Sequence, residues 1–233
     1  MSQSQSNSQA RHLISVTNPK SPISEAYRTL RTNISFSAVD EDLRVIMVTS
    51  AGPGEGKSTT VANLAATYAQ SDKRTVLIEL DLRKPTVHKT FTLSNRLGIS
   101  HVLTKQASLE EVIQDTKIPN LSAITAGLIP PNPSELVGSK ALGSILEQLK
   151  EQFDQIIIDT PPVLALTDAQ LISTHCDGVV LVAEAGKVKR SALLDAKERL
   201  QIVKAKIVGV VLNNAKRKIK DDYYYYYYGH DEK

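Results

Sequence analysis

The sequence predicts an α/β fold: a mostly parallel sheet with helices on both faces, preceded by an amphipathic helix and followed by a disordered, tyrosine-rich C-terminal tail. Three observations carry this reading. From residue 44 onward, short β-branched runs alternate with longer stretches of helical periodicity. The short runs are continuously apolar, as strands covered on both faces must be. The apolar periodicity then ends after residue 213, and six of the eight tyrosines stand side by side at 223–228.

Taken in order, residues 1–20 begin with a polar Ser/Gln-rich stretch (MSQSQSNSQARHL) and are expected to be flexible. Residues 21–38 place Ile23, Tyr27, Leu30 and Ile34 on one face, the pattern of an amphipathic helix. Strands are expected at 44–50 (RVIMVTS), 75–80 (TVLIEL), 121–125, 155–159 (QIIID), 178–183 (GVVLVA) and 206–212 (KIVGVVL). Between them the spacing predicts helices over 57–70, 108–114, 140–153, 168–174 and 188–203. Ser108 and Glu111 form a capping-box pair at one start, and Leu193, Ala196, Leu200 and Val203 share a face of the last helix. Strand–helix–strand repetition implies right-handed crossovers. The prolines of IPPNPSE (129–135) mark a turn-rich connection that ends a strand. One domain thus spans 21–213, and 214–233 is a charge-flanked tail whose adjacent tyrosines cannot all face one core.

Composition narrows the function. With 233 residues, 41% hydrophobic and 23% charged, the chain is an ordinary soluble globule. The net charge is +3, of which the last twenty residues carry +1 (five Lys/Arg against four Asp/Glu), so the basic stripe of a nucleic-acid binder is missing and no nucleic-acid partner is expected. The lone cysteine, Cys176, sits beside His175 in an apolar segment and reads as a packed core residue in a reducing compartment. No apolar run reaches the ~20 residues of a bilayer span, and no secretory leader is visible, so a cytoplasmic protein is expected.

The chemistry concentrates after the first strand, in Ala51-Gly52-Pro53-Gly54-Glu55-Gly56-Lys57-Ser58-Thr59. Strand, glycine-rich loop and helix in succession are the context of a phosphate-binding P-loop, which makes the fold P-loop NTPase-like and implies ATP and Mg²⁺ as cofactors. Glycines let backbone N–H groups turn inward, Lys57 bridges the outer phosphates and the Ser58 hydroxyl reaches Mg²⁺, at a helix N-terminus that favours anions. The first glycine of the usual pattern is Ala51 here, while Gly56 beside the lysine is kept. Asp159 ends the apolar run IIID ahead of Thr160-Pro161-Pro162, which suits a Walker B aspartate holding a metal-bound water. Glu79 and Asp81 follow a neighbouring strand; alone they would be two solvated strand-end acids, but beside a P-loop Asp81 is aimed at the outer phosphate.

These motifs resemble the bacterial tyrosine kinases of capsule and exopolysaccharide biosynthesis, in the short cytoplasmic form of Gram-positive bacteria, from about residue 19 to the end. The resemblance rests on five features in order: Glu25-x-x-Arg28-x-x-Arg31, the loop AGPGEGKST, the acidic motif VLIELDLRKP, the run QIIIDTPP, and Tyr223, Tyr224, Tyr225, Tyr226, Tyr227 and Tyr228. It implies that Lys57 and Thr59 hold phosphates, that Ser58, Asp81 and Asp159 organise Mg²⁺, and that an acid of the second motif helps deprotonate the incoming tyrosine. Glu79 stands where the family usually shows Asp, and its extra methylene displaces the carboxylate by roughly an ångström, so the base role falls to Asp81 with Glu79 in support. Asn213 resembles the adenine-contacting asparagine of related MinD and ParA-like ATPases. Glu25, Arg28 and Arg31 would contact the next subunit of a ring-like homo-oligomer, although the residues themselves fit a surface ion pair equally well. The resemblance further implies autophosphorylation of the tail between subunits, a cognate phosphotyrosine phosphatase, and an activating membrane adaptor of the polysaccharide co-polymerase type that recruits the chain to the inner face of the membrane.

A different class, the ParA/MinD ATPase switch, carries a lysine five residues before the phosphate lysine. That position is Gly52, and together with the tyrosine run it favours the kinase. For a small-metabolite kinase, no second substrate pocket is evident in the sequence.

Overall fold

A computed structural model of the chain describes residues 13–38 and 41–216. In chain order its elements are α1 (Ile14–Thr17), α2 (Pro22–Phe36), β1 (Val45–Ser50), α3 (Lys57–Ala69), β2 (Thr75–Glu79), α4 (Val87–Phe91), α5 (Ile99–Leu103), α6 (Leu109–Val112), β3 (Ile113–Asp115), β4 (Leu121–Ile124), α7 (Pro133–Val137), α8 (Lys140–Gln152), β5 (Gln155–Asp159), α9 (Asp168–Ser173), β6 (Gly178–Glu184), α10 (Arg190–Ile202) and β7 (Ile207–Asn213). The strands form one sheet in the order β3-β4-β2-β5-β1-β6-β7. Every pairing is parallel except the antiparallel edge pair β3–β4. The chain therefore crosses from β1 to β2 over the place later filled by β5, and then returns to lay β6 on the other side of β1. Such a reversal opens a crevice at the carboxyl ends of the central strands, where α/β sheets bind ligands.

The apolar strands divide their side chains between two cores, one on each face. Val45 and Met47 of β1, Val76 and Ile78 of β2, and Ile156 and Ile158 of β5 face one core. Ile46, Val48, Leu77 and Ile157 face the other. With both faces covered, the period-2 alternation of a half-exposed strand disappears from the sequence, and each fully buried aliphatic side chain adds ~1.5–3 kcal/mol. Helices α5 to α10 contribute to the first core, and α2 and α3 to the second. Helix α2 starts at Ser21, whose hydroxyl accepts the Ser24 N–H at 3.1 Å, and Pro22 occupies the first position, where an N–H would lack a helical partner.

The six expected strands are present, each within one residue at either end. Three expectations are corrected. The helix expected over 108–114 is a single turn, α6, after which the β-branched pair Val112-Ile113 turns into β3, an edge strand. Glu111 still accepts the Ser108 N–H at 2.7 Å. The flexible N-terminus expected to residue 20 ends sooner: Ser15 is fully buried, and its backbone N–H and hydroxyl both donate to Asn63 Oδ1 at 3.0 and 2.8 Å. The segment 129–135 does more than end a strand, because Pro133 opens α7. The short helices α1, α4, α5 and α7 were too brief for periodicity to show.

Of the tail expected over 214–233, only residues 214–216 are described, and the tyrosine run lies outside the described residues. The other two tyrosines lie on α2 and α3: burial pushes the Tyr68 phenol up to about 12 and raises that of Tyr27. Burial likewise raises the Cys176 thiol, whose Sγ donates to the Ile172 carbonyl at 3.2 Å. Among the described residues no helix is long and apolar enough to cross a membrane.

Candidate nucleotide site

The loop 51–56 joins the carboxyl end of β1 to the N-terminus of α3. Gly54 (φ +78°) and Gly56 (φ +87°) lie in the left-handed region, which an L side chain enters only with strain. Gly56 also leaves no room for a side chain, since an added Cβ would lie 1.9 Å from Asn213 Nδ2. These two glycines wrap the loop around the end of α3, whose first turn contains no acidic residue and keeps its positive N-terminal field.

Lys57 is the first residue of α3, and its Nζ lies 2.5 Å from Asp159 Oδ1 and 3.3 Å from Ser58 Oγ. Both charges of the pair are nearly buried, with side chains 9% and 1% exposed. Asp159 Oδ2 is buried without any hydrogen-bond partner among the described residues. A buried anionic oxygen of this kind wants a cation or donor, and together with the glycine cradle, Lys57 and the Ser58 hydroxyl it fits a phosphate chain with a divalent metal. Among the described residues no cluster of three or more His, Cys, Asp or Glu could hold a metal ion.

The ends of β1 and β5 are braced together. Thr49 Oγ1 donates to the Pro161 carbonyl at 2.9 Å, Thr160 Oγ1 to the Val48 carbonyl at 3.1 Å, and the Val163 N–H to the Ser50 carbonyl at 2.9 Å. On the next strand, Glu79 stands beside Asp159 in register. It is fully buried, and its Oε2 accepts the N–H groups of Thr86 and Val87 at 2.6 and 2.7 Å, while Oε1 has no partner among the described residues. Burial and the neighbouring Asp159 raise its carboxyl to about 8. Asp81, 8% exposed, accepts the Lys84 N–H at 3.0 Å. Glu79 therefore anchors the far end of the loop that carries Asp81, a supporting position rather than an open one.

Other expected residues are placed as follows. Glu55 folds back on its own loop, with Oε1 accepting the Gly52 N–H at 2.5 Å. Asn213 ends β7 and donates through Nδ2 to the Glu55 carbonyl at 3.1 Å, so it lies against the phosphate loop. Thr59 lies within the first turn of α3, and its carbonyl accepts Asn63 Nδ2 at 2.9 Å. Glu25, Arg28 and Arg31 lie apart from this site on α2: Arg28 Nε pairs with Glu25 at 2.7 Å, and Arg31 Nη1 donates to the Thr67 carbonyl at 2.6 Å.

Sequence reasoning missed one cluster. Arg83, in the Asp81 loop, donates from Nε to Asp168 Oδ2 at 3.1 Å and from Nη2 to Ser134 Oγ at 3.0 Å, and Ser134 Oγ in turn donates to Asp168 Oδ1 at 2.6 Å. Asp168 is 1% exposed, and it ties the loop to α7 and α9. The available signal was an arginine two residues after Asp81 and an acid opening a helix.

A family model described as an AAA domain matches residues 43–207. The chain is 47% identical over 206 residues to tyrosine-protein kinase YwqD of Bacillus subtilis, covering 88% of this chain and 87% of that protein. It is 41% identical over 195 residues to the putative tyrosine-protein kinase CapB of Staphylococcus aureus, covering 84% and 86%. Among solved structures it superposes on the chimerical protein CapA2B2 with a TM-score of 0.85 at 42% identity (88% of this chain, 90% of that one). The kinase domain of the Escherichia coli tyrosine kinase ETK gives 0.86 at 33% identity (94% and 86%). A plasmid partition protein from Borrelia burgdorferi, at 21% identity and a TM-score of 0.59 over 75% of this chain and 83% of that one, shares the fold alone. A relative nearly half identical over most of both chains, together with the P-loop built on β1, makes this chain a protein-tyrosine kinase that belongs to the bacterial tyrosine kinase family.

Proposed function

We propose that the chain is an ATP-dependent kinase that autophosphorylates Tyr223–Tyr228 between subunits and regulates capsular or exopolysaccharide synthesis and export. The observation that carries the phosphoryl-transfer part is the buried Lys57–Asp159 pair at the N-terminus of α3, with Asp159 Oδ2 left free. Lys57 would turn from Asp159 to hold the outer phosphates, the loop 52–56 and Thr59 would cradle the rest, and Asn213 would contact the base. Ser58, Asp159 and Asp81 would hold Mg²⁺, which would supply charge neutralisation on the phosphates. Phosphoryl transfer has a loose transition state that mainly requires alignment and charge neutralisation, which suits a phenol of pKa about 10. Asp81 takes the phenol proton as the new O–P bond forms and the bond to ADP breaks, and Glu79 holds the loop from which Asp81 acts.

On this reading residues 21–213 are the kinase domain and 214–233 its substrate tail. The helix of Glu25, Arg28 and Arg31 packs on a neighbour in a ring, a membrane adaptor activates the chain and brings it to the inner face of the membrane, and a phosphotyrosine phosphatase resets it. Mixing a Lys57→Met chain with intact tyrosines and a chain carrying Phe at 223–228, in ATP and Mg²⁺ with the adaptor segment present, tests the central claim. Phosphotyrosine on the Lys57→Met chain is expected by mass spectrometry, and its absence overturns transfer between subunits. Replacing Glu25, Arg28 and Arg31 with Ala lowers the mass in solution if α2 is the ring contact; an unchanged mass refutes that contact.

A further inference from the structure

Past the carboxyl end of β4 three large apolar side chains face outward: Leu97, Leu128 and Ile129 are 42%, 67% and 62% exposed. Single apolar residues at a surface are ordinary. These three share one rigid support, and it is built by Asn95. Asn95 Nδ2 donates to the Gly127 carbonyl at 3.0 Å, and its Oδ1 accepts the Gly127 N–H at 3.0 Å, so the side-chain amide pairs with the backbone as a neighbouring strand would. Just before Gly127, the Thr125 and Ala126 carbonyls accept the N–H groups of Ile99 and Ser100 at 2.8 and 3.0 Å. Just after Ile129, Pro130, Pro131 and Pro133 each fix one backbone angle. Leu97 and the pair Leu128-Ile129 are thus presented on braced backbone, which has little freedom left to lose on binding.

This ledge adjoins the loop that carries Asp81. Strands β2 and β4 are parallel neighbours with Ile78 opposite Ile124, so residues 79–81 and 125–127 leave the sheet at the same rim. The far end is tied as well, because Arg83 Nη2, two residues beyond Asp81, donates to Ser134 Oγ at 3.0 Å. The stretch 128–133 therefore runs from the end of β4 to the Asp81 loop. Two exposed cations flank it, Lys84 in that loop and Arg96 beside Leu97, and neither forms an ion pair among the described residues.

A protein-tyrosine kinase has to lay a polypeptide across this rim to bring a phenol in line with the outer phosphate. The segment that carries the phenol extends to both sides of it, and the apolar surface on the Asp81 side is the ledge. We propose that Leu97, Leu128 and Ile129 dock the substrate polypeptide, taking a large apolar side chain a few residues from the accepting tyrosine while acidic residues of the same segment face Lys84 and Arg96. The substrate class is an acidic segment with one apolar anchor beside the acceptor. The ledge selects among tyrosines and leaves the transfer to the residues around Lys57. The inference rests on the proposed transfer beside Asp81.

Two fluorescein-labelled peptides test it, each with one tyrosine preceded by two aspartates; one has leucine three positions after the tyrosine and the other has serine there. Anisotropy with the full chain, without nucleotide, reads docking, and phosphate incorporation from ATP and Mg²⁺ reads transfer. The leucine peptide should bind about fivefold tighter or more. The double variant Leu128→Ser, Ile129→Ser should remove that preference by weakening the leucine peptide alone, raising its KM and leaving kcat unchanged. Arg96→Glu should weaken both peptides. No binding, equal affinities in the parent, or a preference that survives the double variant overturns the proposal. A parent that prefers the leucine peptide yet transfers no phosphate to it supports the ledge and counts against transfer beside Asp81, so the two readings fail separately. A double variant whose mass in solution falls while its peptide binding is unchanged would place a second copy on the ledge and overturns substrate docking.

Discussion

Lys57 Nζ and Asp159 Oδ1 lie 2.5 Å apart, joining the first residue of α3 to the last residue of β5. With both side chains nearly out of water, each charge depends on the other. Lys57→Met leaves the Asp159 carboxylate buried and unpaired, and a loss of ~3–5 kcal/mol is expected, together with abolished phosphotyrosine formation. Adding Asp159→Asn to that variant should recover most of the stability and none of the activity. Urea midpoints for the three proteins check this, and a Lys57→Met midpoint equal to the parent's would refute the coupling.

Glu79 gives the nucleotide-free chain a definite pH dependence. Its folded carboxyl titrates at about 8 against an ordinary 4.5, because burial and Asp159 oppose its charge. Between those values the folded state holds a proton that the unfolded state has released. The contribution of Glu79 is therefore full below about 4.5 and is lost as pH rises through about 8. Stability should fall over that window more steeply in the parent than in Glu79→Gln, as measured by denaturant midpoints across the range. Parallel curves would contradict the assignment.

At Gly56 the backbone and the space both forbid a side chain. Gly56→Ala meets Asn213 Nδ2 and must hold a positive φ, a conformation costing ~1–2 kcal/mol for an L residue. Nucleotide affinity should fall at least tenfold by titration with a fluorescent analogue. Adding Asn213→Gly removes the collision but not the strain, so only partial recovery is expected.

The Arg83–Asp168–Ser134 cluster should matter to catalysis more than to ATP binding. Asp168→Ala leaves two donors without their acceptor and frees the loop that carries Asp81. A stability loss of ~1–3 kcal/mol is expected from the unsatisfied groups. On the kinase reading kcat should drop severalfold with KM for ATP nearly constant; an unchanged kcat would make the cluster a purely structural brace.

How much of this was legible depended on the length scale of each signal. The strands were legible because buried parallel strands need unbroken apolar runs, and VIMV and QIIID supply them. The P-loop was legible because its glycines and Lys57 are local in sequence. The antiparallel turn of Ile113–Asp115 was not, since its pairing with Leu121–Ile124 is decided by an edge left open in three dimensions. Nor was the commitment of Glu79 to Thr86 and Val87, which follows from its complete burial. Arg83 and Asp168 are 85 positions apart and share no periodic pattern, so their partnership exists only once α9 has docked.

Eleven of the thirteen residues of α3 are buried, beneath α2 on one side and against the sheet on the other, and Ser15 is hydrogen-bonded to Asn63 at its middle. The central amides of a helix so enclosed are expected to exchange their hydrogens only through large-scale opening of the domain. Its first residue is Lys57. The lysine proposed to hold the outer phosphates thus hangs from one of the most enclosed elements of the described chain, and any gating would fall to the six residues before it and to the side chains that face them.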